Sequence, residues 1–106
     1  MKIGVIISSN DAETCWNAFR FANFSLNNKD EVSIFLIGKG VEYESITNEQ
    51  FNIVEQAEKF LESGGKIFAC GTCLKQRNSA GSNLCPISTM KDMYRIVAES
   101  DKILTF

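Results

Sequence analysis

Ile3-Gly4-Val5-Ile6-Ile7 is the stretch of sequence that decides the class of fold. It contains no polar residue, and it does not alternate between polar and apolar side chains as a strand with one solvated face does. A continuous apolar run rich in β-branched residues is typical of a strand that is covered on both faces, as in the parallel sheets of α/β proteins. The stretch therefore predicts a strand inside a parallel sheet.

Helix and strand patterns alternate along the rest of the chain. Hydrophobic periodicity predicts further strands at residues 32–37, 66–69 and 102–106, and helices at 11–26, between 47 and the stop at 64–65, and after 88–89. Asn10 with Glu13 is the predicted N-cap pair of the first helix, and Thr47 with Gln50 is the capping box of the second. Residues 41–45 fit either a short edge strand or a loop. Such a series predicts α/β architecture, with a mainly parallel open sheet and helices on both faces.

The totals describe one globular domain that spans residues 1–106. Of its residues, 44% are hydrophobic, which is enough for a core without disulfides. The 11 basic and 13 acidic residues give a net charge of −2, whereas proteins that bind nucleic acid usually carry a basic excess. No apolar run approaches the roughly 20 residues that span a bilayer. We therefore expect a cytoplasmic protein with reduced thiols, bound neither to a membrane nor to nucleic acid.

The chain has four cysteines and no histidine. The absence of imidazole excludes a Ser-His-Asp triad, a Cys-His dyad and any metal centre with histidine ligands. An acid, base or nucleophile must therefore come from Cys, Asp, Glu, Lys or Tyr, and the cysteines are the strongest candidates among these.

Cys70 and Cys73 form a Cys-x-x-Cys motif directly after the strand at 66–69. Reactive groups collect at the carboxyl ends of parallel strands, and a helix that starts at Thr72 would present N–H groups that lower the pKa of the Cys70 thiol. Residues 66–106 also hold six basic residues against three acidic ones, which favours thiolate if the bases converge. Cys70 is therefore the predicted nucleophile.

The motif by itself also serves zinc, iron–sulfur and thioredoxin-like sites. A zinc site would need all four thiolates, so Cys15 and Cys85 would have to converge on the pair. Cys15 lies on the apolar stripe of the first helix and is expected in the core, whereas Cys85 is a candidate accessory thiol. A thioredoxin-like site usually carries a cis-proline elsewhere in the chain. The only proline here is Pro86, 13 residues after Cys73, and this position disfavours a thioredoxin-like site. Residues 8–11 lack the glycine of a phosphate loop, so no flavin, nucleotide or other cofactor is expected.

Several segments together resemble the DsrE/DsrF-like family of small sulfur-relay proteins, in its Cys-Gly-Thr-Cys subgroup: residues 2–8, 38–41, 69–77, 88–93 and 101–106. The resemblance covers nearly the whole chain, and its most specific part is Cys70 to Arg77. It implies a flavodoxin-like three-layer sandwich, association into trimers or hexamers, and a cysteine that carries a persulfide between partner proteins. The sulfur-carrying cysteine falls on Cys70 and the family's downstream arginine on Arg77.

Two positions depart from that family pattern. Asn78 stands where glycine would follow the arginine, and asparagine tolerates a left-handed backbone. Cys73 adds a second thiol, which can attack a persulfide on Cys70, release sulfide and leave a Cys70–Cys73 disulfide. Transfer to a partner and reductive release are therefore both open.

The resemblance predicts a protein that stores sulfane sulfur on Cys70, takes it from a donor protein and passes it to an acceptor protein. Lys75 and Arg77 would supply positive potential, Thr72 would hydrogen-bond the terminal sulfur, and Cys73 would act as a resolving thiol. The alternatives are a dithiol reductase that uses the Cys70–Cys73 pair, and an oligomeric module that binds a metal or small ligand.

Overall fold

The computed structural model describes residues Met1–Phe106, and its five strands pair in parallel in one sheet. The strand order is β4-β3-β2-β1-β5. The strands are β1 (Lys2–Ile7), β2 (Glu31–Leu36), β3 (Lys66–Cys70), β4 (Ile87–Ser88) and β5 (Lys102–Thr105). The predicted position of β1 inside the sheet is confirmed, because β1 pairs with β2 on one side and β5 on the other.

Five α-helices connect the strands. They are α1 (Ala12–Asn27), α2 (Tyr43–Ile46), α3 (Ile53–Glu62), α4 (Gly71–Gln76) and α5 (Met90–Glu99). Parallel crossovers are right-handed, so the chain that moves from β1 to β3 lays α1 and α3 on one face, and the return from β4 to β5 lays α5 on the other. The three-layer α/β prediction is confirmed. From β1 to β4 each new strand is added on the same side of the sheet, and the chain then returns to place β5 on the other side of β1. This strand order differs from the 2-1-3-4-5 order of flavodoxin itself.

Three local predictions were wrong. Residues 41–45 form neither a strand nor a loop, since a 3-10 turn (Gly38–Glu42) runs into α2. Asp11 rather than Asn10 caps α1, because its carboxylate accepts the Thr14 N–H at 2.9 Å. Asn52 caps α3 in place of Thr47 and accepts the Glu55 N–H at 3.1 Å. Several residues near the start of each helix have side chains that can accept an N-cap hydrogen bond. The sequence does not distinguish between them, and tertiary packing decides which one caps the helix.

The strand β4 was not predicted because two residues carry no periodicity. It pairs with the end of β3, and Ser88 lies opposite Cys70. The Ala69 N–H also donates to the Pro86 carbonyl at 2.8 Å. The short strand therefore brings the chain after residue 85 beside the Cys-x-x-Cys motif.

The core lies between the sheet and the α1–α3 layer. The apolar residues of β1 and β2 pack there against Phe19, Phe60 and Tyr43, all fully buried. The ring of Phe19 lies 5.1 Å from that of Tyr43 and 6.3 Å from that of Phe60, measured between centroids. No helix has both the length and the apolar character that crossing a bilayer requires.

The other face of the sheet carries α5 alone, and this helix buries only Ile96. Met90, Tyr94 and Val97 recur at helical spacing, yet all three are exposed, and Tyr94 is 75% exposed. With Ile87 on β4 they form what we call the apolar α5 surface. A run of large apolar side chains in water is typical of a face that contacts another protein.

Candidate functional site

Cys70 ends β3 and at the same time caps α4, as its place after an apolar strand predicts. Its Sγ accepts the Cys73 N–H at 3.4 Å. The side chain is 6% exposed. The local sequence thus produces a strand that ends in a thiol whose sulfur is held by the first turn of the next helix.

Cys73 lies directly against Cys70. The two Sγ atoms are 2.8 Å apart, with the Cys73 thiol donating to the Cys70 sulfur. The Gly38 N–H, from the 3-10 turn, donates to the Cys73 Sγ at 3.1 Å. Cys73 is half-buried, and no disulfide bond joins it to Cys70. The pair therefore holds two sulfur atoms in contact, with a backbone donor on each.

Burial raises the pKa of the Cys70 thiol above its ordinary value. The hydrogen bond between the two thiols raises it further, and the repulsion between two neighbouring thiolates adds a smaller increase. The backbone N–H groups of Cys73 and Thr72 act in the opposite direction but do not outweigh burial. The sequence predicts an environment that favours the Cys70 thiolate, whereas the folded single chain favours the neutral thiol.

We expect alkylation of Cys70 by iodoacetamide to have its pH midpoint above that of an ordinary thiol, because only the thiolate reacts and burial disfavours it. The rate at each pH is read from the Cys70 peptide by mass spectrometry. The same peptide in urea-unfolded protein is the control, and its midpoint should return to the ordinary range. Equal midpoints in folded and unfolded protein would contradict the raised pKa.

A pocket of about 660 Å³ opens beside Cys70. Its lining consists of Cys70–Thr72, Lys75 and Ile87–Met90. The Thr72 and Lys75 side chains are exposed at this pocket. Two of the three predicted anion-stabilising residues therefore share a cavity with Cys70. Ile87 and Met90 also belong to the apolar α5 surface, so that surface reaches the pocket.

Arg77 does not join them. Its Nε donates to the Glu42 carboxylate at 2.6 Å, and its Nη1 donates to the Cys73 carbonyl at 3.0 Å. Arg77 makes no hydrogen bond to either sulfur atom. The guanidinium thus fixes the backbone of Cys73 and ties α4 to the 3-10 turn. The ion pair with Arg77 lowers the pKa of Glu42.

Sequence reasoning missed Glu42 and Gly38. Both lie 35 residues before their partners, Arg77 and Cys73, so no periodicity or local motif links them. The nearest signal was the Gly38–Val41 segment, which the resemblance covered without assigning it a role.

The remaining two cysteines lie elsewhere. Cys15 is fully buried in the core as predicted; burial raises the pKa of its thiol to about 11. Cys85 is 2% exposed, its Sγ donates to the Val41 carbonyl at 3.7 Å, and burial raises the pKa of its thiol to about 12. An accessory role for Cys85 stays a prediction and would require the 78–86 segment to open.

Two further observations concern the backbone at Asn78 and the possibility of a metal site. Asn78 has a φ of 54°, the left-handed conformation that the substitution for glycine requires. No three Cys, Asp or Glu side chains are grouped so that they could hold a metal ion. The four thiols do not converge, and the arrangement that a four-thiolate zinc site needs is not formed.

Known proteins share both the sequence pattern and the fold. The sequence model of the DsrE/DsrF-like family matches residues 1–106. An uncharacterized protein of Methanocaldococcus jannaschii is 34% identical over the full length of both chains. An uncharacterized protein of Methanopyrus kandleri is 34% identical over 89% of this chain and 83% of its own.

Two solved structures share the fold. The ychN protein from E. coli superposes with a TM-score of 0.81 at 21% identity, covering both chains completely. A conserved protein of unknown function from Bacteroides thetaiotaomicron gives a TM-score of 0.80 at 23% identity, over 99% of this chain and 94% of that one.

Proposed function

Because the chain belongs to the DsrE/DsrF-like family, which has a general role in sulfur relay, we propose that it carries sulfane sulfur as a persulfide on Cys70. The observation that carries this proposal is the position of Cys70: it ends β3, accepts an N–H from Cys73 and lines an open pocket. A nucleophile in such a position meets a donor through one opening.

Two exchange steps complete the transfer. The Cys70 thiolate attacks the outer sulfur of a donor persulfide, the donor thiolate leaves, and the Cys70 persulfide forms. An acceptor thiolate then attacks the outer sulfur, takes it as a new persulfide and restores the Cys70 thiolate. Neither step needs an imidazole, a metal or a cofactor.

The pocket residues have separate roles in this proposal. The ammonium group of Lys75, which lines the pocket, attracts the anionic persulfide that Cys70 carries, and the Thr72 hydroxyl donates to its terminal sulfur. Arg77 is a positioning residue, since its contacts are with Glu42 and the Cys73 backbone. The donor and acceptor are proteins of the cytoplasm, where thiols stay reduced.

The direct test is sulfur loading of the wild-type protein. The reduced protein is incubated with a small-molecule persulfide donor under anaerobic conditions, the donor is removed at once, and the thiols are trapped with an alkylating agent. Peptide mass spectrometry should find the extra sulfur on Cys70, both in promptly trapped wild type and in Cys73→Ser, which has no second thiol to release it. Sulfur confined to Cys73 or Cys85 would overturn the assignment.

We further propose that the protein is a trimer or hexamer of identical chains. The apolar α5 surface leaves three large side chains of one helix in water, and Met90 and Ile87 continue it into the pocket. Burying them against a second copy removes this apolar area from water and places the pocket at the edge of the interface.

We expect Tyr94→Glu to shift the protein toward monomer, because it places a charge in the middle of the apolar α5 surface. Light scattering coupled to size-exclusion chromatography measures the mass. Phe24→Glu is the matched control: Phe24 is 66% exposed on α1, on the opposite face of the sheet, and its replacement should leave the mass unchanged. Equal masses for wild type and Tyr94→Glu would contradict this interface.

A further inference from the structure

The contact between the Cys70 and Cys73 sulfur atoms points to a second reaction at the same site. We propose that Cys73 discharges the Cys70 persulfide as sulfide, so that the protein reduces sulfane sulfur when no acceptor takes it. This inference rests on the proposed loading of Cys70. It assigns Cys73 a chemical role and decides between the two fates that the Cys-x-x-Cys motif leaves open.

The position of Cys73 selects which sulfur it attacks. A persulfide on Cys70 has an inner sulfur, the Cys70 Sγ, and an outer sulfur that comes from the donor. The Cys73 Sγ lies 2.8 Å from the inner sulfur, and a disulfide bond is about 2.05 Å long, so bond formation needs a movement of less than about 1 Å. Attack on the inner sulfur expels the outer one as sulfide.

The surroundings of the sulfur atoms also favour attack by Cys73 on the inner sulfur and departure of the outer one. Cys70 lines a pocket that is open to solvent, so an outer sulfur carried into this pocket would have an exit on leaving as sulfide. The Gly38 N–H donates to the Cys73 Sγ at 3.1 Å and so helps to hold this sulfur beside Cys70. Cys70 itself is 6% exposed, so an external thiol meets the outer sulfur before the inner sulfur, which Cys73 already contacts.

The 3-10 turn holds this arrangement. Gly38 begins the turn and Glu42 ends it, and the Glu42 carboxylate binds Arg77, which in turn donates to the Cys73 carbonyl. The backbone of Cys73 and the N–H that contacts its sulfur are therefore fixed by one ion pair. Cys73 is pre-positioned by residues that are distant in sequence, rather than by the motif alone.

Atoms and electrons balance in the discharge step. The Cys73 thiol releases its proton to solvent, and the thiolate attacks the Cys70 Sγ. The bond between the inner and outer sulfurs breaks, a Cys70–Cys73 disulfide forms, and HS⁻ leaves. The sulfane sulfur is reduced by two electrons, and the two cysteine thiols are oxidised by two. An external dithiol then reduces the disulfide by thiol–disulfide exchange and restores both thiols.

The experiment compares wild type with Cys73→Ser after loading with a limiting amount of persulfide donor, in the absence of reductant. We expect wild type to release its bound sulfur as sulfide and to accumulate the Cys70–Cys73 disulfide. In a second incubation with excess donor, added dithiothreitol should make protein-dependent sulfide release continue over many turnovers. Cys73→Ser should keep the persulfide on Cys70 and lose protein-dependent sulfide release. Cys15→Ser, which removes a fully buried thiol outside the pocket and leaves the pair intact, should behave like wild type.

The outcomes separate this inference from the proposed function. If Cys73→Ser loads Cys70 and wild type keeps its persulfide equally long without forming the disulfide, discharge is wrong and carriage stands. If neither protein acquires sulfur on Cys70, carriage fails and discharge fails with it. Circular dichroism checks the fold of Cys73→Ser; if it does not fold, the Cys70–Cys73 disulfide and sulfide yield of wild type decide alone.

Discussion

We expect the Cys70→Ser variant to take up no sulfur from a persulfide donor, the largest functional effect of any single substitution in this chain. A serine hydroxyl does not ionise near neutral pH and is a poor nucleophile toward sulfur. The substitution keeps the size and the N-cap position of Cys70, so α4 retains an acceptor for the Cys73 N–H. The loss is therefore chemical rather than structural.

Intact-protein mass spectrometry and a cyanide-labile sulfur assay measure the loading of this variant. The matched control is Cys15→Ser, which replaces the same side chain at a fully buried position outside the pocket. We expect the control to load as wild type does wherever it is folded. An undiminished adduct in Cys70→Ser would remove the proposed role of Cys70.

We expect Gly40→Ala to be the most destabilising small substitution. A Cβ on residue 40 would lie 2.0 Å from the carbonyl oxygen of Ile7 and 2.8 Å from its carbonyl carbon. Both are backbone atoms of β1, and the same Ile7 carbonyl accepts the Ile37 N–H at 3.0 Å. The clash therefore has to displace a strand inside the sheet, at a cost of about 3 kcal/mol or more.

Urea unfolding compares Gly40→Ala with wild type and with Gly64→Ala. Gly64 has a φ of 94°, and no atom lies within 4 Å of the place that an added Cβ would take, so its replacement costs only the strained backbone, about 1 kcal/mol. Gly40→Ala therefore measures the cost of a steric clash with β1, and Gly64→Ala measures the cost of a side chain on a left-handed backbone. Equal losses of stability would contradict the close approach of residue 40 to β1.

Gly40 also links stability to the site. It lies in the 3-10 turn between Gly38, which donates to Cys73, and Glu42, which binds Arg77. A shift of this turn away from β1 would move both contacts together. The packing of one glycine against the sheet thus contributes to the position of the second thiol.

The sequence was sufficient for the features that depend on neighbouring residues. The apolar run at residues 3–7 predicted β1 inside a parallel sheet, and the run at 66–69 placed Cys70 at a strand end. The helical stripe placed Cys15 in the core, and the family resemblance, with the tolerance of asparagine for a left-handed backbone, anticipated the conformation of Asn78. Each of these depends on periodicity or on local backbone preference, which the sequence states directly.

Only the tertiary structure decided the environment of the sulfur atoms. Cys70 is buried, so its pKa rises where local charge and a helix start predicted a fall. Arg77 binds Glu42 instead of facing the sulfur, and Gly38 supplies a donor to Cys73 from another part of the chain. Burial and long-range hydrogen bonds depend on which segments the sheet brings together, and no spacing within the chain encodes that.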